Sequence, residues 1–349
     1  MRTFQSSFLE VDEIPGSVIS DPESAQFVAS SQYYRSSQDD IEAVDLAMKG
    51  DSTKLNKLRG EQKVNTYEEG VDHADRFVYL DSTNKILVRH YYPHGTNSVK
   101  NSENSENSPE CHKGGFTNLP ILIFIHGGGW IYSSVEQRNQ FCSLLSKTKN
   151  IEVASINYSL SPEAECGKSL DESHAVWEEV TANSDSNRMI FLSGDSSGGN
   201  LAAGLVHLIL EKNLRLPTAL LLLYPVLDLV NEYPSYKIFG NGYGLQYTVM
   251  RKYIDGYCPD IKRRNNPSIS PLLGELNHFP PTLVITCQFD ILRNEGYAFA
   301  KKLDQAGVPV KYVCVESAVH GFFSKPFLTK INIVGHKILN EFLDYFLKQ

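Results

Sequence analysis

The sequence has no long apolar run. Its longest, Ala219–Leu223 with its flanks, is strand-sized and falls well short of the roughly 20 residues that a membrane helix needs. Positive charge is also scarce. Lys and Arg number 33 against 41 Asp and Glu, a net charge of −8, and no basic block stands out. Such a chain is poorly suited to gripping nucleic-acid phosphates or anionic lipid heads. Cysteine is sparse and scattered: six residues (111, 142, 166, 258, 287 and 314) with no C-x-x-C pair. Cys142, Cys287 and Cys314 fall inside apolar periodic segments. That reads as buried free thiols in a reducing compartment, the cytosol, rather than a disulfide framework. The N-terminus runs from Met1 through Ser7 into Glu10, Asp12 and Glu13 without the apolar core of a secretory signal. There is no H-E-x-x-H and no clustered Cys/His spacing, so neither a metal nor any other cofactor is expected. What the 349 residues do contain is an ordinary globular balance, 41% hydrophobic and 21% charged, which excludes wholesale disorder and a fibrous protein.

Two regions stand apart from the rest. Residues 1–70 are polar, with two helical stretches: Asp21–Gln32, capped by Asp21 with Pro22 at the first position, and Asp40–Leu58, striped by Ile41, Val44 and Met48. Strand-like runs at Arg76–Leu80 and Ile86–Tyr92, joined by Asp81-Ser82-Thr83-Asn84, predict a β-hairpin. The insertion 93–118 carries a low-complexity run, 101–108, that cannot bury apolar surface and is expected to be a mobile loop.

From Pro120 onward, short runs rich in leucine and β-branched residues alternate with helical stretches. The runs are Ile121–Ile125, Val153–Ile156, Met189–Leu192, Ala219–Leu223, Leu283–Ile285 and Val310–Val315; the helices fall at 135–149, 169–183, 197–213, 293–306 and 328–348. This pattern predicts an α/β fold, a mostly parallel sheet with helices on both faces. The gap between Tyr224 and Pro280 breaks the rhythm with aromatic material such as Tyr233, Phe239, Tyr243 and Tyr253. An insertion of that size, about 228–270, points to a functional element. The expected division is an N-terminal segment 1–70 and a catalytic domain 71–349.

Gly194-Asp195-Ser196-Ser197-Gly198 matches G-x-S-x-G between a buried strand and a helix. A sharp strand-to-helix turn presents the central hydroxyl at the top of a sheet, beside a helix N-terminus that favours developing negative charge. Ser196 has glycines at both −2 and +2, and Ser197 does not, so Ser196 is the expected nucleophile. His126-Gly127-Gly128-Gly129-Trp130 follows another buried strand and has the form of an oxyanion loop. Its spacing fits neither dinucleotide nor P-loop glycine patterns; the P-loop mimic at Gly167-Lys168-Ser169 fails because Pro162 stands where the first glycine belongs.

A serine needs a base. His320 follows the strand Val310–Val315, and Asp290 follows Leu283–Ile285, 30 residues earlier, which suits one intervening helix and strand. The order Ser196, Asp290, His320 is that of α/β-hydrolases. Asp228, soon after Ala219–Leu223, is the rival acid with poorer spacing to His320. His126 reads as structural, and His207 and His336 as helix-surface or core residues.

These strings, together with Ser161-Pro162-Glu163, Asn266–Leu272, Phe289–Gly296 and His320-Gly321-Phe322, resemble the hormone-sensitive-lipase-like family of α/β-hydrolases. That family includes acetyl esterases, arylacetamide deacetylases and the gibberellin receptors. The resemblance implies a serine carboxylesterase acting on small-molecule esters. Ser196, Asp290 and His320 would form its triad, and the amides of Gly128, Gly129 and Ser197 its oxyanion hole. His126, Gly127 and Asp195 would be supporting residues. It also implies a cap built from the N-terminal segment and the 228–270 insertion. The same triad would serve an amidase or deacetylase, and a receptor on this fold is a third reading that the presence of His320 disfavours. Three departures stand out: Ser159 replaces an arginine usual before the Pro-Glu turn, Ser197 replaces alanine, and Asn294 replaces aspartate. The missing arginine leaves the local ion-pair scaffold open, and the 93–118 insertion has no counterpart in the family.

Overall fold

Runs of apolar residues on every side of a strand imply a sheet covered on both faces, and β3, β5 and β6 below are buried along their whole length. The computed structural model describes residues 19–30, 37–62, 66–96 and 118–348. Tyr33, Tyr34, Cys111 and the low-complexity run 101–108 lie outside the described residues.

Among the described residues, eight strands form one sheet in the order β1-β2-β4-β3-β5-β6-β7-β8. They are β1 (Val71–Tyr79), β2 (Lys85–Pro93), β3 (Ile121–Ile125), β4 (Glu152–Asn157), β5 (Ile190–Asp195), β6 (Ala219–Leu223), β7 (Thr282–Phe289) and β8 (Val310–Val319). The β1–β2 and β2–β4 pairs are antiparallel, and every pair from β4 to β8 is parallel. The hairpin turn forms as its side chains suggest: Asp81 Oδ1 accepts the amides of Thr83 and Asn84, both at 2.8 Å. β1 is one of the two edge strands, and its alternating exposure reflects a single covered face.

The helices are α1 (Pro22–Ala29), α2 (Ser37–Met48), α3 (Thr53–Gly60), α4 (Asn139–Lys149), α5 (Lys168–Ala182), α6 (Ser197–Glu211), α7 (Pro234–Phe239), α8 (Tyr247–Tyr257), α9 (Arg293–Gln305) and α10 (Thr329–Leu347). Among the described residues none is long and apolar enough to cross a membrane. α4 packs with α10, α5 with α6, and α9 on β7 and β8. Asp21 caps α1 as expected, its carboxylate accepting Ser24 N at 2.8 Å.

The expected single helix over Asp40–Leu58 is two. α2 stops at Met48, Gly50 takes a left-handed φ of 95°, and Asp51 accepts Thr53 N at 3.0 Å to start α3. The break folds the two helices onto one another. Ala43, Val44, Ala47 and Leu55 then make a small core of their own with Ile131 and Tyr132. α2 also packs against α8 of the 224–280 segment.

Candidate active site

β5 delivers the chain into a tight turn before α6. Ser196 sits at its apex with φ 55° and ψ −120°, a costly conformation for a non-glycine residue that its surroundings must hold. They do so by three backbone bonds. Ser196 N donates to Leu223 O at 2.8 Å, and Ser196 O accepts from Asn200 N at 3.1 Å and Val226 N at 3.2 Å. Two residues on, a side chain at Gly198 would overlap the Ile125 and His126 carbonyls, so only glycine lets α6 start this close to β3. The first-turn amides of α6, beginning at Ser197, have no acceptor within the helix.

The loop after β8 brings in the imidazole. His320 Nε2 lies 2.9 Å from Ser196 Oγ, and His320 Nδ1 lies 2.7 Å from Asp290 Oδ2. The other Asp290 oxygen accepts Leu292 N at 3.0 Å, which fixes the carboxylate plane. Ser196 and Asp290 are both buried, at 8% and 2% exposure. The Tyr224 ring stands edge-on to the imidazole, 5.1 Å between centroids. Lys325 Nζ donates to the carbonyls of His320 at 2.8 Å and Gly321 at 3.1 Å, and burial pushes its ammonium down to about 8.

Asp228 is not bonded to His320, whose Nδ1 pairs with Asp290, and is engaged elsewhere. Its carboxylate accepts the amides of Val230 and Asn231, the Asn231 side chain and the Tyr233 hydroxyl, all within its own turn.

The glycine loop after β3 lies against the turn. Gly128, Gly129 and Trp130 have φ of 125°, 63° and 61°, a run in which two of three residues need glycine. Gly127 N donates to Asp195 Oδ1 at 2.7 Å, and Trp130 N to Ser197 Oγ at 3.1 Å. Between these anchors the amides of Gly128 and Gly129 have no hydrogen-bond partner among the described residues. The Ser197 hydroxyl is therefore engaged, beyond the backbone role its position suggests. Asp195 is held in turn by Arg138, whose Nε and Nη2 donate at 3.1 and 2.8 Å.

His126 is a buried, structural residue. Its ring stacks on Tyr158 at 4.2 Å, its Nδ1 lies 2.8 Å from Gly127 O, and burial lowers its pKa to about 4, which keeps it neutral. His207 and His336 lie away from the site, against Pro271 O and between Phe141 and Phe323 respectively. At Ser159, where an arginine was missing, the serine amide and hydroxyl both donate to Glu172, at 2.6 and 2.7 Å.

The aromatic residues of the 224–280 segment divide. Phe239 and Tyr243 pack on Phe289 at 5.7 and 5.6 Å, fastening the segment to β7. Tyr253 of α8 instead lies on the glycine loop, in the space a side chain at Gly129 would fill.

Sequence reasoning did not single out Arg138 or Lys325. Lys325 carries no local signal. Arg138 carries one: it falls on the stripe of Val135, Phe141 and Cys142, a charge where a buried apolar residue belongs.

A hydroxyl bonded to an imidazole, itself bonded to a buried carboxylate, beside unpaired amides, is the arrangement of nucleophilic acyl transfer. Comparison with known proteins agrees. A family model described as the alpha/beta hydrolase fold matches residues 122–324. The chain is 32% identical over 255 residues to the carboxylic ester hydrolase LipN of Mycobacterium tuberculosis, covering 69% of this chain and 61% of that one. It is 29% identical over 207 residues to the ethyl acetate hydrolase of Pseudomonas putida, covering 58% and 65%. Both matches thus span less than two thirds of the relative's length. Among solved structures, an ester hydrolase from the Lake Arreo metagenome superposes with a TM-score of 0.72 at 26% identity, over 92% of this chain and 96% of that one. On the fold, the turn at Ser196 and these likenesses, the chain belongs to the hormone-sensitive-lipase-like esterase family of α/β-hydrolases.

Proposed function

We propose that this protein hydrolyses carboxylic esters of small apolar or acetylated molecules through an acyl-enzyme on Ser196. The observation that carries the reading is the continuous hydrogen-bonded line Ser196 Oγ–His320–Asp290, 2.9 and 2.7 Å. In this reading His320 Nε2 takes the hydroxyl proton as Oγ attacks the ester carbonyl. Asp290 holds the proton on Nδ1 and stabilises the imidazolium. The amides of Gly128, Gly129 and Ser197 receive the oxyanion, each donor contributing about 2.7–4 kcal/mol to the barrier reduction. Collapse of the tetrahedral species passes the proton from His320 to the leaving alcohol, and water repeats the sequence to free the acid. No step calls on a cofactor.

The N-terminal segment 1–70 and the insertion at about 228–270 together cap the catalytic domain 71–349 in this reading. Its support is the packing of α2 on α8 and of Tyr253 on Gly129. Cytosolic residence is supported by the five cysteines among the described residues, all free thiols and four of them buried. The ester-hydrolase names of its relatives support a small-ester substrate.

The test is direct. A fluorophosphonate probe should label the purified protein at Ser196, and members of a series of p-nitrophenyl esters of rising chain length should be hydrolysed. Absence of labelling together with inertness toward the whole ester series would overturn the reading.

A further inference from the structure

The oxyanion loop is held from three directions, and the third comes from the N-terminal segment. Gly127 is tied to Asp195 and Trp130 to Ser197. At the far end, Gly128 O accepts Ile131 N at 3.2 Å and Tyr132 N at 2.9 Å, closing a turn whose first exit is the Ile131 carbonyl. That carbonyl accepts Arg59 Nε at 2.8 Å. The same guanidinium reaches Ser161 O through Nη2 at 2.8 Å, while Ser161 N donates to Trp130 O at 2.9 Å. Its remaining edge forms a bidentate pair with Glu163, both bonds at 2.9 Å. Gln62, just after α3, adds Oε1 as acceptor for Ser133 N at 3.0 Å.

We infer that Arg59 is a positioning residue for the oxyanion hole, holding the Gly128–Ile131 turn in register with Ser196 from outside the catalytic domain. The inference rests on the esterase reading above.

Its physical basis is the cost of the turn. Gly128, Gly129 and Trp130 all hold positive φ, and such a run persists only where neighbours over-determine it. Removing the bond at the Ile131 carbonyl loosens the end of the turn that neither Asp195 nor Ser197 reaches, and leaves it held by Ser161 N on Trp130 O, by Gln62 on Ser133 N and by apolar packing of Ile131. The ion pair with Glu163 is partly exposed, with side chains 18% and 40% accessible, so as a stability element it counts for little. What the guanidinium supplies is direction: a planar fork that serves two carbonyls and a carboxylate at once, which the three rotatable donors of a lysine do not reproduce. Ground-state ester binding, with a neutral carbonyl oxygen, depends less on the aim of the Gly128 and Gly129 amides. Stabilisation of the oxyanion does, and a misplacement of about 1 Å costs on the order of 100-fold in rate.

The expected result for Arg59→Gln is a fall in kcat of about 10- to 100-fold, with KM within about threefold. Affinity for a trifluoromethyl ketone, whose adduct carries the oxyanion, should fall by the same factor as kcat/KM. Arg59→Lys, which keeps charge and folding, should recover less than half of the lost kcat on a logarithmic scale. Amide exchange over 128–133 should quicken in both variants. If either folded variant keeps wild-type kcat and inhibitor affinity, and loses only melting temperature, the inference is overturned and Arg59 is a fold contact. If the wild-type protein neither hydrolyses esters nor takes the fluorophosphonate, the esterase reading fails first, and the inference with it. An active wild type with unaltered variants overturns the inference alone.

Discussion

Gly127 donates its amide to the Asp195 carboxylate at 2.7 Å, across 68 residues of sequence. Each partner is the neighbour of a residue with a proposed role in the reaction. Asp195 precedes Ser196 on the turn after β5, and Gly127 precedes Gly128 on the loop after β3. The bond therefore makes the nucleophile turn and the oxyanion loop one piece, with Arg138 behind Asp195 completing a buried ion pair at 2.8 Å.

That pair yields the first prediction. Asp195→Asn preserves shape and can still accept from Gly127, but it leaves the Arg138 guanidinium buried without its counter-charge. Breaking one side of a buried pair typically costs about 3–5 kcal/mol. Urea unfolding should show a loss of that order, with kcat reduced in the molecules that remain folded. A loss below about 1 kcal/mol would mean that water reaches Arg138.

The two adjacent serines should separate. Ser196→Ala removes nearly all ester turnover and leaves the fold intact. Ser197→Ala deletes the acceptor of Trp130 N, bonded at 3.1 Å, and should cost about 1 kcal/mol with kcat lowered about 5- to 10-fold. Full activity in Ser197→Ala would show that the Gly127 and Arg59 anchors are sufficient without it; full activity in Ser196→Ala would remove it as nucleophile.

Asp290 and Asp228 can be distinguished by the same substitution. Asp290→Asn should lower kcat by roughly 10⁴-fold, the penalty of a wrong imidazole tautomer, and His320→Ala by at least as much. Asp228→Asn should leave kcat within severalfold of wild type and lower stability, since its carboxylate serves only its own turn. Steady-state kinetics on one short ester decides between them.

His336, together with His126, should make the fold sensitive to acid. Burial lowers the His336 pKa from the ordinary 6.5 to about 4, so the folded chain keeps the ring neutral where the unfolded chain protonates it. Below pH 6.5 the unfolded state binds the extra proton, and stability falls as the pH drops toward 4. At pH 5 the loss amounts to at most roughly 2 kcal/mol, at about 1.4 kcal/mol per pK unit. His336→Phe should flatten the fall in urea midpoint between pH 7 and pH 5, and an unchanged slope would assign the sensitivity to other groups.

The amino-acid sequence alone made the contiguous motifs legible. Ser196 could be read because strand, turn and helix are contiguous, and the small residues demanded by the turn lie within five positions. The glycine loop at 127–129 was legible for the same reason. The preference for Asp290 over Asp228 followed from element spacing, since each strand–helix repeat delivers one loop to the same edge of a parallel sheet.

What depends on distant partners was decided only by the tertiary structure. Helix propensity does not reveal that Gly50 folds α3 back onto α2, since the break is stabilised by apolar contacts to Ile131 and Tyr132. The stripe of Val135, Phe141 and Cys142 marks Arg138 as buried without naming Asp195 as its partner, and nothing local marks Arg59 for the Ile131 carbonyl. Lys325 reaches the His320 carbonyl from the next loop, and the Ser197 hydroxyl finds Trp130 N only once two strands lie side by side. Periodicity reports which face of an element is buried. The partner a buried polar group finds depends on where the chain brings another donor or acceptor within about 3 Å, and that is set by the packing of the whole sheet.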